Sequence, residues 1–129
     1  MIYLASPYTH PSLYVRTLRY HGVTKAAVFM MNSGDDVFSP ITNGHPMQIN
    51  GVDGWDMWRW LNYDHKFYKI CDTLAVLMLP GWDQSPGVRW EISWANKDKK
   101  LVRFLKPDIV GVPNWVMEGL KRHDGLVEE

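Results

Sequence analysis

The chain has 129 residues and a mass of 15.0 kDa, the size of one ordinary domain spanning residues 1–129. Its 14 Lys+Arg balance 14 Asp+Glu, so no global positive field exists to hold nucleic acid or an anionic membrane. A single cysteine, Cys71, excludes an intrachain disulfide and any multi-Cys metal centre. No apolar run reaches transmembrane length, and the start, MIYLASPYTH, has no charged segment ahead of its apolar run as a signal peptide would. A soluble cytoplasmic protein is the expectation.

Ile2 to Ala5 is a short apolar run ended by Ser6-Pro7 and predicts a buried strand. A long helix is expected from Pro11-Ser12 to a C-cap at Gly34. Asp36 to Ser39 predicts a second strand, stopped by Pro40. Residues 40–54 hold Pro40, Pro46, Gly44, Gly51 and Gly54 and read as a functional loop. A helix is expected from about Asp53 to Cys71. Thr73 to Leu79 is apolar on both faces, as a central parallel strand should be. Pro80 to Ser85 reads as a loop, Pro86 to Lys97 as a helix opened by its proline, Leu101 to Leu105 as a strand and Pro113 to Arg122 as a helix. The tail after Gly125 is expected to be loose. Alternating strands and helices imply an α/β fold: a doubly wound, flavodoxin-like parallel sheet of four to five strands with helices on both faces. Ligands of such sheets bind at the C-terminal ends of the strands. Ser6–His10, Ser39–His45 and Pro80–Gly87 would line that edge.

Two acids sit on apolar stripes. Met57, Trp60, Leu61, Phe67, Tyr68 and Cys71 share a helix face, and Asp64 lies three after Leu61 and four before Tyr68. Glu91 lies three after Val88 and four before Ala95 on the next helix. A carboxylate in an apolar wall is costly unless paired or hydrogen-bonded, and desolvation raises its pKa, which prepares it for acid–base chemistry. The plainer alternatives are acids that face solvent or pair with Arg16 or Arg19.

Ser85 can cap the helix that carries Glu91, and Gly87 leaves room for close approach of a ligand. Free N–H groups and the positive end of the helix dipole would favour an anion there. No Walker-type or G-x-G-x-x-G run is present. The five histidines show no paired ligand spacing, so no metal and no cofactor are expected. His10 and His45 fall on the ligand edge, and His45 is a candidate contact to base or sugar. Seven tryptophans are more than so small a core can hide, which favours a homo-oligomer. Trp82 and Tyr8 are candidate stacking partners for a ring.

The opening IYLASPYT, the pair Asp64 and Asp72, the strand TLAVLML, and Ser85-x-Gly87-Val88-x-x-Glu91 followed by Ile92-Ser93-Trp94-Ala95 and Lys100-Leu101-Val102 resemble the nucleoside 2-deoxyribosyltransferase superfamily. Ser39-Pro40-Ile41 to His45-Pro46 is similar to an S-P-I-x-x-x-H-P segment of a bacterial and phage group within it. The branch nearest by motif looks like the 2′-deoxynucleoside 5′-monophosphate N-glycosidases. The resemblance implies that Glu91 is the nucleophile at the anomeric carbon, that Asp64 protonates or orients the departing base, and that Tyr3 positions Glu91. It implies substrate contacts from Ser85, Gly87, Ser6, Tyr8, Arg89 and His45. Ser85 stands where the free-nucleoside enzymes usually have an Asp, and a neutral donor accommodates a phosphate that a carboxylate would repel. The loop after the first strand departs from the branch: Ser6-Pro7-Tyr8-Thr9-His10 replaces a Gly-Ser-x-Arg-Gly-Gly type segment. Arg89, one turn into the anion-site helix, is the expected replacement for its arginine, ahead of Arg16 and Arg19. A carboxylate pair suits N-glycosidic cleavage, which needs a stabiliser for an oxocarbenium-like centre and an acid for the leaving base. Base exchange on a free nucleoside and non-catalytic nucleotide binding stand as alternatives. Asn114 is a further candidate for completing a neighbouring subunit's site.

Overall fold

The computed structural model describes residues 1–123; the tail after Gly125 lies outside the described residues. Among those described, four strands form one parallel sheet: β1 (Ile2–Ala5), β2 (Val37–Phe38), β3 (Thr73–Leu77) and β4 (Leu101–Leu105), in the order β2-β1-β3-β4. Register is continuous across the centre, with Tyr3 beside Leu74 and Leu74 beside Val102. Five helices flank the strands: α1 (Leu13–Asn32), α2 (Pro40–Ile49), α3 (Met57–Tyr68), α4 (Pro86–Asp98) and α5 (Asn114–His123). This is the expected doubly wound α/β fold.

Side-chain alternation along the strands divides the core in two. Leu4, Ala75 and Leu77 pack with α1 and α5 on one face. Tyr3, Ala5, Leu74 and Val76 pack with Tyr68 of α3 and with Val88 and Ala95 of α4 on the other. β1 therefore separates the long α1 from the helices that carry the two acids.

Most elements end where local chemistry stops them. Ser12 caps α1 by accepting from the Val15 N–H. Ser33 ends that helix, and Gly34 follows with φ +101°, a turn that favours glycine. The large correction is residues 40–49, which form α2 instead of a loop. Ser39 leaves the expected strand to cap this helix, accepting from the Thr42 N–H at 3.1 Å. Pro40 occupies the first turn, where its missing N–H has no intrahelical partner anyway. Pro46 removes only one internal bond. Gly44 is there for space: a Cβ would stand 3.3 Å from the Trp60 ring. Smaller corrections concern ends. α3 begins after its cap Asp56, whose side chain accepts from the Arg59 N–H, not at Asp53. It stops at Tyr68, and β3 stops at Leu77. No helix among the described residues is long and apolar enough to cross a membrane.

Candidate functional site

A cavity of about 400 Å³ opens at the C-terminal end of β1, within the range of small-molecule sites. It lies where α1 leaves for one face of the sheet and α4 starts on the other, the crevice that doubly wound sheets use. The β1–α1 loop contributes Ser6, Tyr8, Thr9 and His10, and α2 contributes Pro40, Ile41, Gly44, His45 and Gln48. Of the third expected segment only Ser85 and Gly87 reach it. Trp55, Trp60, Leu61 and Asp64 form the wall from α3 and its approach, and Glu91 comes from α4.

Asp64 and Glu91 both line this cavity, and both are nearly sequestered, at 8% and 5% exposure. Each sits on the apolar face that the spacing predicts: Leu61, Asp64 and Tyr68 are buried on α3, and Val88, Glu91 and Ala95 on α4. Neither acid is paired with Arg16 or Arg19; among the described residues the ion pair within 4.0 Å joins the N-terminal amine to Asp72 at 3.6 Å. Burial pushes the Asp64 carboxyl up to about 7. Burial also raises Glu91, to about 8, with the Tyr3 hydrogen bond pulling down and the Asp64 charge pushing up. The Asp64 charge acting on Glu91 couples the two titrations. Tyr3 Oη donates to Glu91 Oε2 at 2.5 Å. The phenol keeps its proton, because burial and then the Glu91 and Asp64 charges hold its pKa well above the usual tyrosine value.

Ser85 caps α4, its Oγ accepting from the Val88 N–H at 3.3 Å while its own proton stays available to a ligand. At Gly87 a Cβ would meet only Ser85 Oγ, at 3.9 Å, so the first turn of α4 faces the cavity without obstruction.

Another part of the wall is built from donors. Tyr8 donates to Gln48 Oε1 at 3.0 Å, so its 2.6 Å contact with His45 Nδ1 is donated by the imidazole. The His45 proton therefore sits on Nδ1. The ring stacks on Tyr20 with centroids 4.4 Å apart. Burial, then His21 and Arg16, lower the His45 pKa. His10 Nδ1 accepts from the Ser12 N–H at 3.0 Å, which puts the His10 ring proton on Nε2. Arg16 lines the cavity, spending Nη1 on the carbonyls of His10 and Pro11. Among the described residues no carboxylate lies within ion-pair distance of it.

Arg89 is corrected. Its Nε donates outward to the Asp83 carbonyl at 3.1 Å, the residue is exposed, and it does not line the cavity. It lies two after Gly87 on a helix whose inner face is set by Val88 and Glu91, so it points away. Trp82 packs on Phe104 instead of facing the site. Asp72 is 81% exposed against the N-terminus, and Asn114 is exposed at the start of α5.

Spacing assigned Trp60 to the core, yet it lines the cavity. Its position four before Asp64, on the same face of α3, was the available signal. Three residues that line the cavity each bury a polar atom that makes no hydrogen bond: Ser6 Oγ, Asp64 Oδ1 and Trp60 Nε1. Unsatisfied buried polar atoms are rare in folded proteins, and these three fall on residues around one hollow. Among the described residues no three His, Cys, Asp or Glu side chains converge as metal ligands would.

The chain belongs to the family described as domain of unknown function DUF1937, whose model matches residues 1–106. That range contains every cavity residue named above and stops just after β4. No curated protein matches the chain.

Proposed function

We propose that this protein is an N-glycosidase that cleaves the base–sugar bond of a deoxynucleoside or nucleoside 5′-monophosphate. The observation that carries the reading is the buried pair Asp64 and Glu91 on one cavity, with Tyr3 donating to Glu91.

The chemistry follows from the pair. The reaction needs the charge on Glu91 and the proton on Asp64: the Tyr3 donor favours that placement, against burial, which raises Glu91 to about 8 and Asp64 only to about 7. Glu91 attacks the anomeric carbon. The C–N bond breaks, its electrons pass to the base nitrogen, and the Asp64 proton neutralises the departing base. The product on the protein is a glycosyl ester of Glu91. Water then attacks the same carbon, gives its proton to the Asp64 carboxylate, and releases Glu91 as a carboxylate. The pair returns to its starting state with no other reagent.

A 5′-monophosphate is favoured over a free nucleoside by charge. Ser85 and the first turn of α4 offer donors and no anion. Arg16 supplies a cation with no counter-ion among the described residues, and His10 offers an N–H. A phosphate would complete such a wall. The reading also takes the protein as a homo-oligomer: Trp58 of α3 and Trp90 of α4 are exposed and meet edge to face at 5.2 Å.

The test is a panel of nucleosides and 5′-monophosphates, with and without an acceptor base, with free base followed by chromatography. Base release from monophosphates without an acceptor is expected. Turnover that requires an acceptor would replace hydrolysis by base exchange, and binding without turnover would leave a nucleotide-binding domain.

A further inference from the structure

We infer that His45 accepts a hydrogen bond from the 3′-hydroxyl of the substrate's sugar through Nε2, and so selects nucleotides that carry that hydroxyl. The inference rests on the N-glycosidase reading for the identity of the ligand, and on the packing of α1, α2 and the β1–α1 loop around the imidazole for the rest.

The ring is held and its tautomer is set. The imidazole stacks on Tyr20 of α1 with centroids 4.4 Å apart, and Tyr8 of the β1–α1 loop meets it edge-on at 5.6 Å and 77°. Tyr8 Oη spends its proton on Gln48 Oε1, so its 2.6 Å contact with His45 takes the proton of Nδ1. A neutral imidazole with its proton on Nδ1 offers Nε2 as an acceptor. Nε2 makes no hydrogen bond among the described residues, and it is not one of the polar atoms closed off from solvent. His45 lines the cavity and is only 6% exposed, so its open nitrogen opens onto the cavity. An acceptor held this firmly and this enclosed imposes direction on whatever binds, and a ligand that brings it no proton leaves it unpaired.

What Nε2 accepts follows from where His45 stands. The donors on a nucleoside monophosphate are the N–H groups of the base and the hydroxyls of the sugar. The base departs beside Asp64, and a 2′-hydroxyl sits on the carbon next to the one that Glu91 attacks. The 3′-carbon is one further round the ring and adjoins the carbon that bears the 5′-phosphate arm. His45 belongs to that end of the cavity. The Arg16 charge acts on both Tyr8 and His45, and neither Asp64 nor Glu91 is among the charges that act on them. A 3′-hydroxyl donates to Nε2. A hydrogen or a fluorine at the same carbon cannot, and the mismatch costs roughly tenfold to hundredfold in affinity.

The probes are the common 2′-deoxynucleoside 5′-monophosphates, each against its 2′,3′-dideoxy and 3′-fluoro-2′,3′-dideoxy counterparts. Binding is measured by calorimetry on the Glu91→Gln protein, which cannot turn the ligands over, and base release on the unaltered protein. The 3′-hydroxyl ligand is expected to bind at least about tenfold tighter than the other two. When His45→Phe is added, which keeps a ring on Tyr20 and removes the acceptor, the preference should fall to within about twofold. Equal binding of the three ligands overturns the inference, as does a preference that survives His45→Phe in protein with native circular dichroism. If the His45→Phe protein does not fold, the 3′-fluoro ligand decides alone. Its fluorine has nearly the bulk of the hydroxyl and no proton to donate, so binding as tight as the 3′-hydroxyl ligand overturns the inference. Selection for the 3′-hydroxyl with no base release would remove the N-glycosidase reading and leave the His45 assignment standing. Base release with equal binding of the three ligands would do the reverse, and no binding of any probe overturns both.

Discussion

Tyr3 and Glu91 are 88 residues apart in the chain, and the phenol oxygen of one lies 2.5 Å from Oε2 of the other. Tyr3 is fully buried, wedged edge-on against Tyr68 and Trp94 on the face of the sheet that α3 and α4 cover. The first strand therefore aims the carboxylate of the fourth helix. The hydrogen bond also opposes the effect of burial, since a donated proton stabilises the charged form.

Tyr3→Phe should preserve the packing and remove the donor. Turnover is expected to drop about tenfold to hundredfold. The acid limb of the pH–rate profile should move to higher pH, because Glu91 loses the contact that lowers its pKa. A profile whose midpoint does not move would mean that Tyr3 does not set the charge on Glu91.

The unaltered protein should have a narrow pH optimum. The reactive form holds one proton on the pair, and the two carboxyls titrate near 7 and 8. Below about 7 both are protonated and the nucleophile is lost. Above about 8 both are ionised and the acid is lost. A bell-shaped kcat/KM with apparent pKa values close to these is the expected outcome. A flat profile between pH 6 and 9 would contradict it.

Glu91→Gln should separate function from stability. Turnover is expected to fall by several orders of magnitude, and a drop smaller than about tenfold would remove Glu91 as nucleophile. Stability should move the other way. The folded pKa lies above the ordinary glutamate value of 4.5, so the native state holds a proton that the unfolded chain releases from about that pH upward. Native stability therefore declines as pH rises from about 4.5 to about 8 and stays low above it. Gln keeps an oxygen for Tyr3 and carries no charge. At pH 9 the variant should be more stable by on the order of 1–3 kcal/mol, read by urea denaturation.

Arg16 and Arg89 should behave differently. Arg16→Met removes the cavity's uncompensated cation and is expected to raise KM for a 5′-monophosphate at least about tenfold, with a much smaller effect on the corresponding nucleoside. Arg89→Met touches an exposed side chain bonded to the Asp83 carbonyl and should change neither. Calorimetric titration with deoxyribose 5-phosphate gives the same comparison without turnover.

Much of the architecture was written in local pattern. TLAVLML declares a central strand, and period-3.6 stripes on α3 and α4 reveal Asp64 and Glu91 as acids on buried faces, because a helix face is set by spacing alone. Ser85 as a cap followed by a first-turn proline is equally local. The α2 helix was hidden by its own composition. Pro40 and Gly44 look like breakers until the cap at Ser39 and the ring of Trp60 are beside them. The choice of arginine was decided by packing. Arg89 is nearer in sequence to the anion-binding turn, but helix phase points it outward, and Arg16, 73 residues earlier on α1, fills the wall instead. The place of Trp60 was likewise a tertiary matter: spacing put it on the inner face of α3, and only the packing of α2 against α3 made it part of the cavity wall. Periodicity fixes which way a residue points from its own helix axis, while what stands opposite depends on contacts that no local window contains.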